Sequence, residues 1–580
     1  MFSKHYQAEL AFLRAAGKAY AEAHPSTAGL LADRGGDPDV ERLLEGFAFL
    51  VARVRERIDD GVPEVVHDLT EILLPHYLRS VPAATIVELQ PIPGALRGRL
   101  RVPAGAEFAS APVDGTSCRF RSSADLDLLP LSVTDVAVDQ GVSAAPVLRL
   151  QLQASPQALP AVFHADGLRL HLHGEFPLAS TLFLALARHL RGVRVKGAGG
   201  RTIELPPSAV RLSGLEPDLP LLPWPPLAPR GYRLLQELFT LPEKLLFVDV
   251  VGLDAARELA AERFELAFLL DRPPELPARL ARDTVRTNCV PAVNLFPAPG
   301  EPISVRALGE EHLVRAAEVA PGHMEVHSVD AVVGLPEGPG ERVRYLPFAG
   351  FAHGAQGGEA HYFRLRRALS PVDDGVDTFL SVLRPGDAGA GLEAQVLSLE
   401  VTATNRAQAG RLKLGELSVP TASSPTQARF RNIVPVSPPV RPPLGTELHW
   451  RFLAHLAANR ASVASVEGLR SLLGLYNFQA LGDQQAGRAN RLRVESLRGL
   501  ETSVSRRLVG GAVARGSRVE LTLDEGGFAG PGDAFLFACA VGELLAAQAS
   551  LTSFVELAAR LEPSRRAWSW LPRNGHRVLL

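Results

Sequence analysis

The chain has 580 residues, 46% hydrophobic and 21% charged, which is enough for roughly two to four separate cores. Its 61 basic and 63 acidic residues leave a formal net charge of -2, so no bulk field draws it to nucleic acid or to an anionic membrane. Only Cys118, Cys289 and Cys539 are present, without any CxxC spacing, which argues against a disulfide framework or a cysteine-rich zinc site and suits a reducing compartment.

The opening residues lack the charged-then-apolar order of a secretory signal, and the most apolar stretch, Ala534 to Gly542, is too short to span a bilayer, so a cytoplasmic protein is expected. The fold class expected is α+β multidomain, in four segments. Residues 1–82 read as a helical domain. Tyr6, Leu10, Leu13, Gly17 and Tyr20 mark a first helix ended by His24-Pro25. Asp37 can cap a second, whose apolar stripe runs through Val40, Leu43, Leu44, Phe47, Leu50, Val51, Val54 and Ile58. A third is expected from about Glu64 to Tyr77.

Residues 83–230 switch to period two, as in Leu168-Arg-Leu-His-Leu-His173, and predict a β-rich domain with one helix near Ser180 to Leu190. The proline-dense run from Pro217 to Pro229 is expected to cross the surface as an extended connector. Residues 231–435 predict a second β-rich domain, with strands at Arg263–Leu270, Glu325–Val333 and Leu397–Thr402 and a loop at Gly386–Gly391. Residues 436–580 predict an α+β domain with helices at Thr446–Asn459, Ser465–Tyr476 and Asp533–Ala547 and a strand at Arg518–Leu523. Ser553-Phe-Val-Glu556 has the form of a capping box opening a last helix.

Catalytic signals are sparse. His171, His173 and Glu175 alternate as on one strand face and could converge on zinc, in which case a metal-dependent hydrolase would follow; a solvated strand face is the simpler expectation. No GxSxG elbow occurs, the cysteines sit in apolar surroundings, and neither Lys196–Gly200 nor Gly386–Gly391 has the spacing of a phosphate loop. His449 and His455 are six apart and fall on opposite sides of a helix, while Trp450 and Leu453 share a face. No catalytic residue, metal site or cofactor is expected, and the chain is read as a non-enzyme.

The most distinctive stretch is Gly231-Tyr-Arg-Leu-Leu-Gln-Glu-Leu-Phe-Thr-Leu-Pro-Glu-Lys-Leu-Leu-Phe247: an amphipathic helix, a proline stop, then an extended run. It resembles the signature of the TssF (VasA, ImpG) family of the type VI secretion system. Blocks resembling that family follow in the same order along the chain: Tyr6 to Arg14, Asp37 to Leu50, Pro75-His-Tyr-Leu78, Cys289-Val-Pro-Ala-Val-Asn-Leu-Phe296, Glu325 to Asp330, Thr404-Asn-Arg406, His449-Trp-Arg451 and Trp570-Leu-Pro-Arg573. The resemblance implies a structural baseplate subunit. Its implied partners are TssG, with two TssF copies per TssG, then TssK, TssE and the VgrG spike hub, with recruitment to the inner membrane through them. Leu43, Phe47, Leu50, Val54, Leu235, Glu237, Phe239, Trp450 and Arg451 are the candidate interface residues. A wedge protein of a contractile phage tail or tail-derived particle is the competing reading.

Overall fold

In the computed structural model the described residues are 6, 10–14, 16 and 38–574, apart from 140–144, 165–166, 226–227, 229, 278–279, 318–319, 337–340, 349–360, 384–393, 458–464, 510–511 and 550–552. Residues 6, 10–14 and 16 are helical, whereas Tyr20, His24-Pro25, the Asp37 cap and the Gly386–Gly391 loop lie outside the described residues.

Helix α1 spans Pro38–Leu73 without interruption, so the second and third expected helices are one. The merger has a periodic reason. Leu43, Phe47 and Leu50 share a 3.6-residue phase with Val65, Leu69 and Ile72, because the 22 residues from Leu43 to Val65 make about six turns. Pro63 forfeits one backbone bond there without ending the helix. The helix stops at Leu73 because the residue before Pro75 is disfavoured in helical geometry, and Pro75–Tyr77 forms a short 3-10 turn instead.

The strands that follow build four main sheets. A six-stranded sheet runs in the order Val419–Pro420, Glu107–Val113, Thr116–Ser122, Cys289–Val293, Ala84–Pro91, Ala428–Asn432. A five-stranded antiparallel sheet centres on Arg263–Leu270, and in a four-stranded one Leu168–Leu172 pairs with Phe247–Val250 on one side and Val285–Thr287 on the other. An eight-stranded sheet is built around Glu325–Pro336 and Gln395–Thr404. Strand pairing therefore joins residues near 84 to residues near 290 and 430, with hydrogen bonds crossing positions 82, 230 and 435 of the chain.

Helix α2, Phe176–Arg188, begins four residues before its expected start, and Leu190 already belongs to a strand. Helix α3, Arg230–Thr240, is the signature helix, and Pro242–Leu246 continues as a 3-10 turn rather than running extended before the strand at Phe247. The connector before it departs from expectation. Leu219, Leu221, Leu222 and Ala228 are buried while Pro223 is exposed, so the run is pinned to the core through its apolar side chains instead of simply crossing the surface.

The carboxyl-terminal region contains α4 (Thr446–Ala457), α5 (Val466–Gly474, capped by the Ser465 side chain), α6 (Gln484–Glu495) and α7 (Pro531–Ala547). Its sheet runs Leu497–Val509, Ala512–Asp524, Ser553–Glu562, Arg566–Ser569. Ser553–Glu562 corrects the capping-box expectation: it is a strand, parallel to Arg515–Asp524, with Leu557, Ala559 and Leu561 alternating into the core. The three-residue spacing of a capping box also fits a strand, and pairing to a neighbour decided between them.

Helix α7 is apolar on nearly all sides and lies between α2 and α3. Contact is close enough that a Cβ on Gly231 would sit 2.5 Å from the Leu544 Cα, and one on Gly532 would sit 2.2 Å from the Ser180 carbonyl. Around this packing a buried ion pair is set. Lys244 Nζ lies 2.6 Å from Glu237 Oε2 and donates at 2.9 Å to the Gly214 carbonyl, while Leu221 N–H donates to Glu237 Oε1 at 2.8 Å. Burial pushes the Lys244 ammonium below its ordinary range and Glu237 opposes that shift. Removing one partner strands the other's charge, so Glu237→Ala should cost about 3–5 kcal/mol. Replacing both, as Glu237→Leu with Lys244→Met, should cost clearly less; chemical denaturation of the two variants against the parent checks the order.

Candidate partner-binding surface

Two helices, α1 and α4, carry exposed apolar side chains in rows. On α1, Leu43, Phe47 and Leu50 are exposed, Phe47 at 57%, and the same face continues through Val65, Leu69 and Ile72, with Phe49 and Leu73 exposed to either side of it. Val54 lies within α1, its side chain outside the described residues. On α4, Trp450 is 75% exposed and Leu453 stands beside it, so the face these two share is turned to solvent and not into packing. A helix of this length, about 54 Å, with an uncovered apolar stripe is the mark of an interaction site.

The last turns of α1 are clamped to the body. Asp68 and Glu71 pair with Arg364 and Arg367 at 2.9 and 2.7 Å, and His67 Nε2 accepts from the Arg367 backbone N–H. These bonds fix the last turns of the helix against the strand Tyr362–Leu369. At the foot of the helix, Pro75-His-Tyr-Leu78 enters a cluster of aromatic rings drawn from every neighbouring element. His76 Nε2 is 3.0 Å from the Tyr476 hydroxyl and stacks near Trp224, and Tyr77 donates to the Leu475 carbonyl and packs on His455 and Phe478. Tyr232 of α3 stacks on Tyr476. Arg451 belongs to this junction as well, donating to the Leu475 carbonyl at 3.2 Å, so it anchors α4 while Trp450 faces outward.

Leu235, Glu237 and Phe239 do not belong to a surface. All three are buried, Leu235 and Phe239 in the main core and Glu237 in its ion pair with Lys244, which corrects their reading as interface residues. Nor does the structure bring His171, His173 and Glu175 together. The strand ends at Leu172, Gly174 takes φ +119, and Glu175 turns outward at the start of α2. His171 is fully buried, its Nε2 3.1 Å from the Glu243 carbonyl, and burial lowers its pKa to about 3. Among the described residues no group of three or more His, Cys, Asp or Glu side chains could hold a metal. Burial pushes the Cys118 and Cys539 thiols up to about 11 and about 12 and holds Cys289 well above the usual thiol range, which makes all three poor nucleophiles. No helix among the described residues is long and apolar enough to cross a membrane.

Other quoted motifs prove to be internal fasteners. Asn294 and Asn405 bond reciprocally, Nδ2 to Oδ1 at 2.8 Å and backbone N–H to Oδ1 at 2.7 Å, and Asn405 Oδ1 also accepts from Arg119 N–H. Arg406, at φ +53, reaches Asp373 at 2.9 Å. Val65 and Leu453 were missed as surface residues; the unbroken phase of α1 was the signal available for the first.

The fold and this surface define a multidomain α+β protein that, among the described residues, carries a long helix with an exposed apolar face and no assembled catalytic or metal centre. The family model described as "Type VI secretion system, TssF" matches residues 1–577. The chain belongs to the TssF family of the type VI secretion system. The type VI secretion system component TssF1 of Pseudomonas aeruginosa PAO1 is 31% identical to it over 99% of this chain and 98% of that protein. A chain of the TssK-TssF-TssG baseplate subcomplex, solved by cryo-electron microscopy, superposes with a TM-score of 0.77 at 31% identity, covering 93% of this chain and 99% of its own. A chain of the type VI secretion baseplate complex gives 0.61 at 25% identity over the full length of both.

The buried histidines make the junction acid-sensitive. Burial holds His76 at about 3 and His455 at about 4, against an ordinary 6.5, so the folded state binds them neutral. Stability is complete above pH 6.5 and is lost as pH falls below it, about 2 kcal/mol for each by pH 5. Melting temperature should drop between pH 7.5 and 5, and His455→Phe should flatten that drop.

Proposed function

We propose that this chain is a non-catalytic structural subunit of the type VI secretion baseplate wedge, held to its partners through α1. The observation that carries this reading is the uncovered stripe Leu43, Phe47, Leu50 on a helix whose last turns are clamped to the body. Burying such side chains contributes roughly 1.5–3 kcal/mol each, so a few of them suffice for stable assembly. The partners follow from the relatives, one of which is solved with TssK and TssG. TssG is the proposed occupant of the stripe, with two copies of this chain per TssG. TssK then docks the unit toward the inner membrane, TssE links it to the sheath, and the wedges surround the VgrG spike hub. The work of the chain in this reading is mechanical: it initiates sheath and tube assembly and passes on the firing change.

Phe47→Asp combined with Leu50→Asp should leave folding within about 0.5 kcal/mol, since both side chains are exposed. The same double variant should abolish co-purification with TssG, measured by co-expression and size-exclusion chromatography with light scattering. The parent is expected to elute as a two-to-one complex; a double variant that still binds TssG would overturn the assignment of the stripe.

A further inference from the structure

A second uncovered element lies at the opposite end of the chain. Among the described residues, the strand Leu497–Val509 is the terminal strand of its sheet, paired on one side only, to Ala512–Asp524. Its root is covered, since Arg470 donates to the Leu497 carbonyl at 3.0 Å. Beyond Leu500 the side chains through Leu508 are exposed except for half-buried Ser505, with Val504 at 77% and Leu508 at 75%. A bare edge of this length, carrying aliphatic side chains, is a template for another strand. Backbone donors and acceptors in such a row are satisfied by a protein strand and not by a lipid surface or a small ligand.

The sequence of the edge says which strand. We propose that two copies of this chain join through Leu497–Val509, antiparallel, about a two-fold axis at Val504. Such an axis keeps each face of the sheet continuous, so only residues of like parity can stand opposite one another. Centred on Val504, the register sets Val504 against its own copy, Leu500 against Leu508, Ser503 against Ser505, and Glu501 against Arg507. Both the apolar and the charged positions are then complementary, each favourable pair occurring twice by symmetry. No other like-parity register of this strand opposes Glu501 to an arginine. Slipping by two residues sets Glu501 against Ser505 or Val509, and slipping by four sets Arg506 against Arg498 or against its own copy. Glu501 has no carboxylate-to-cation partner within the chain among the described residues. Arg507 bonds Glu556 at 2.7 Å through one nitrogen and keeps its other donors. Arg506 and Arg515 face each other across the hairpin, a repulsive pair that discourages a basic partner on this face.

The test uses the full chain. The three native cysteines are buried, so Val504→Cys places the one accessible thiol among the described residues on the proposed axis. Mild oxidation with copper phenanthroline should give a covalent dimer of Val504→Cys and none of the parent. Adding Glu501→Arg sets like charges opposite each other at both ends and should lower the yield about tenfold. Adding Arg507→Glu instead should do the same. Mixing the two, differently tagged, restores both opposite-charge pairs and should recover the mixed dimer. Failure of Val504→Cys to cross-link, or cross-linking unaffected by either charge reversal, would overturn the proposal and leave the edge to a strand from a different protein. Circular dichroism confirms folding of each variant, and all three positions are exposed.

Discussion

The buried pair of Glu237 and Lys244 is the constraint on which the remainder of the molecule depends. A carboxylate and an ammonium, neither reaching solvent, are tolerated in a core only when their remaining hydrogen-bond capacity is met. Here the supply comes from distant turns: the Gly214 carbonyl and the Leu221 backbone N–H. The pair therefore fixes four things at once, namely the angle between α3 and the turn after it, the path of the proline connector, the turn at residues 213–215, and the entry of the strand at Phe247. With α3 held, Gly231 admits α7 at backbone contact, and α7 carries the carboxyl-terminal sheet with it.

From that centre, polar fasteners tie the distant parts of the chain together. The Asn294 and Asn405 amides join the six-stranded and eight-stranded sheets, and Glu88 binds both Arg286 and Arg431 across three strands. The aromatic junction around Tyr77 and Tyr476 sets the foot of α1. Rigidity matters for the role proposed for α1, because an interface helix that could swing would lose affinity to ordering entropy. Asp68, Glu71 and His67 hold its last turns against the strand Tyr362–Leu369.

Much of this was legible in the order of residues. The strand at Arg263–Leu270 has its expected bounds, and α4, α5 and α7 fall within a few residues of theirs, because each has strong periodicity or a clear cap such as Ser465. The errors share one cause. Ser553-Phe-Val-Glu556 at the head of a strand and the prolines from Pro217 carry local signals that tertiary contacts overrode. His171 and His173 looked like a strand face open to a metal, but one side of that face is another layer of protein.

Sequence alone determined the family, the α+β class and the apolar stripe of α1, since each is written in local spacing and ordered motifs that need no neighbour to interpret. Only the tertiary structure decided which apolar residues remain uncovered. Leu235 and Phe239 are as hydrophobic as Phe47 and Leu50, and helical spacing treats the two pairs alike. What separates them is whether another part of the same chain arrives to exclude water, and that depends on contacts between residues hundreds of positions apart.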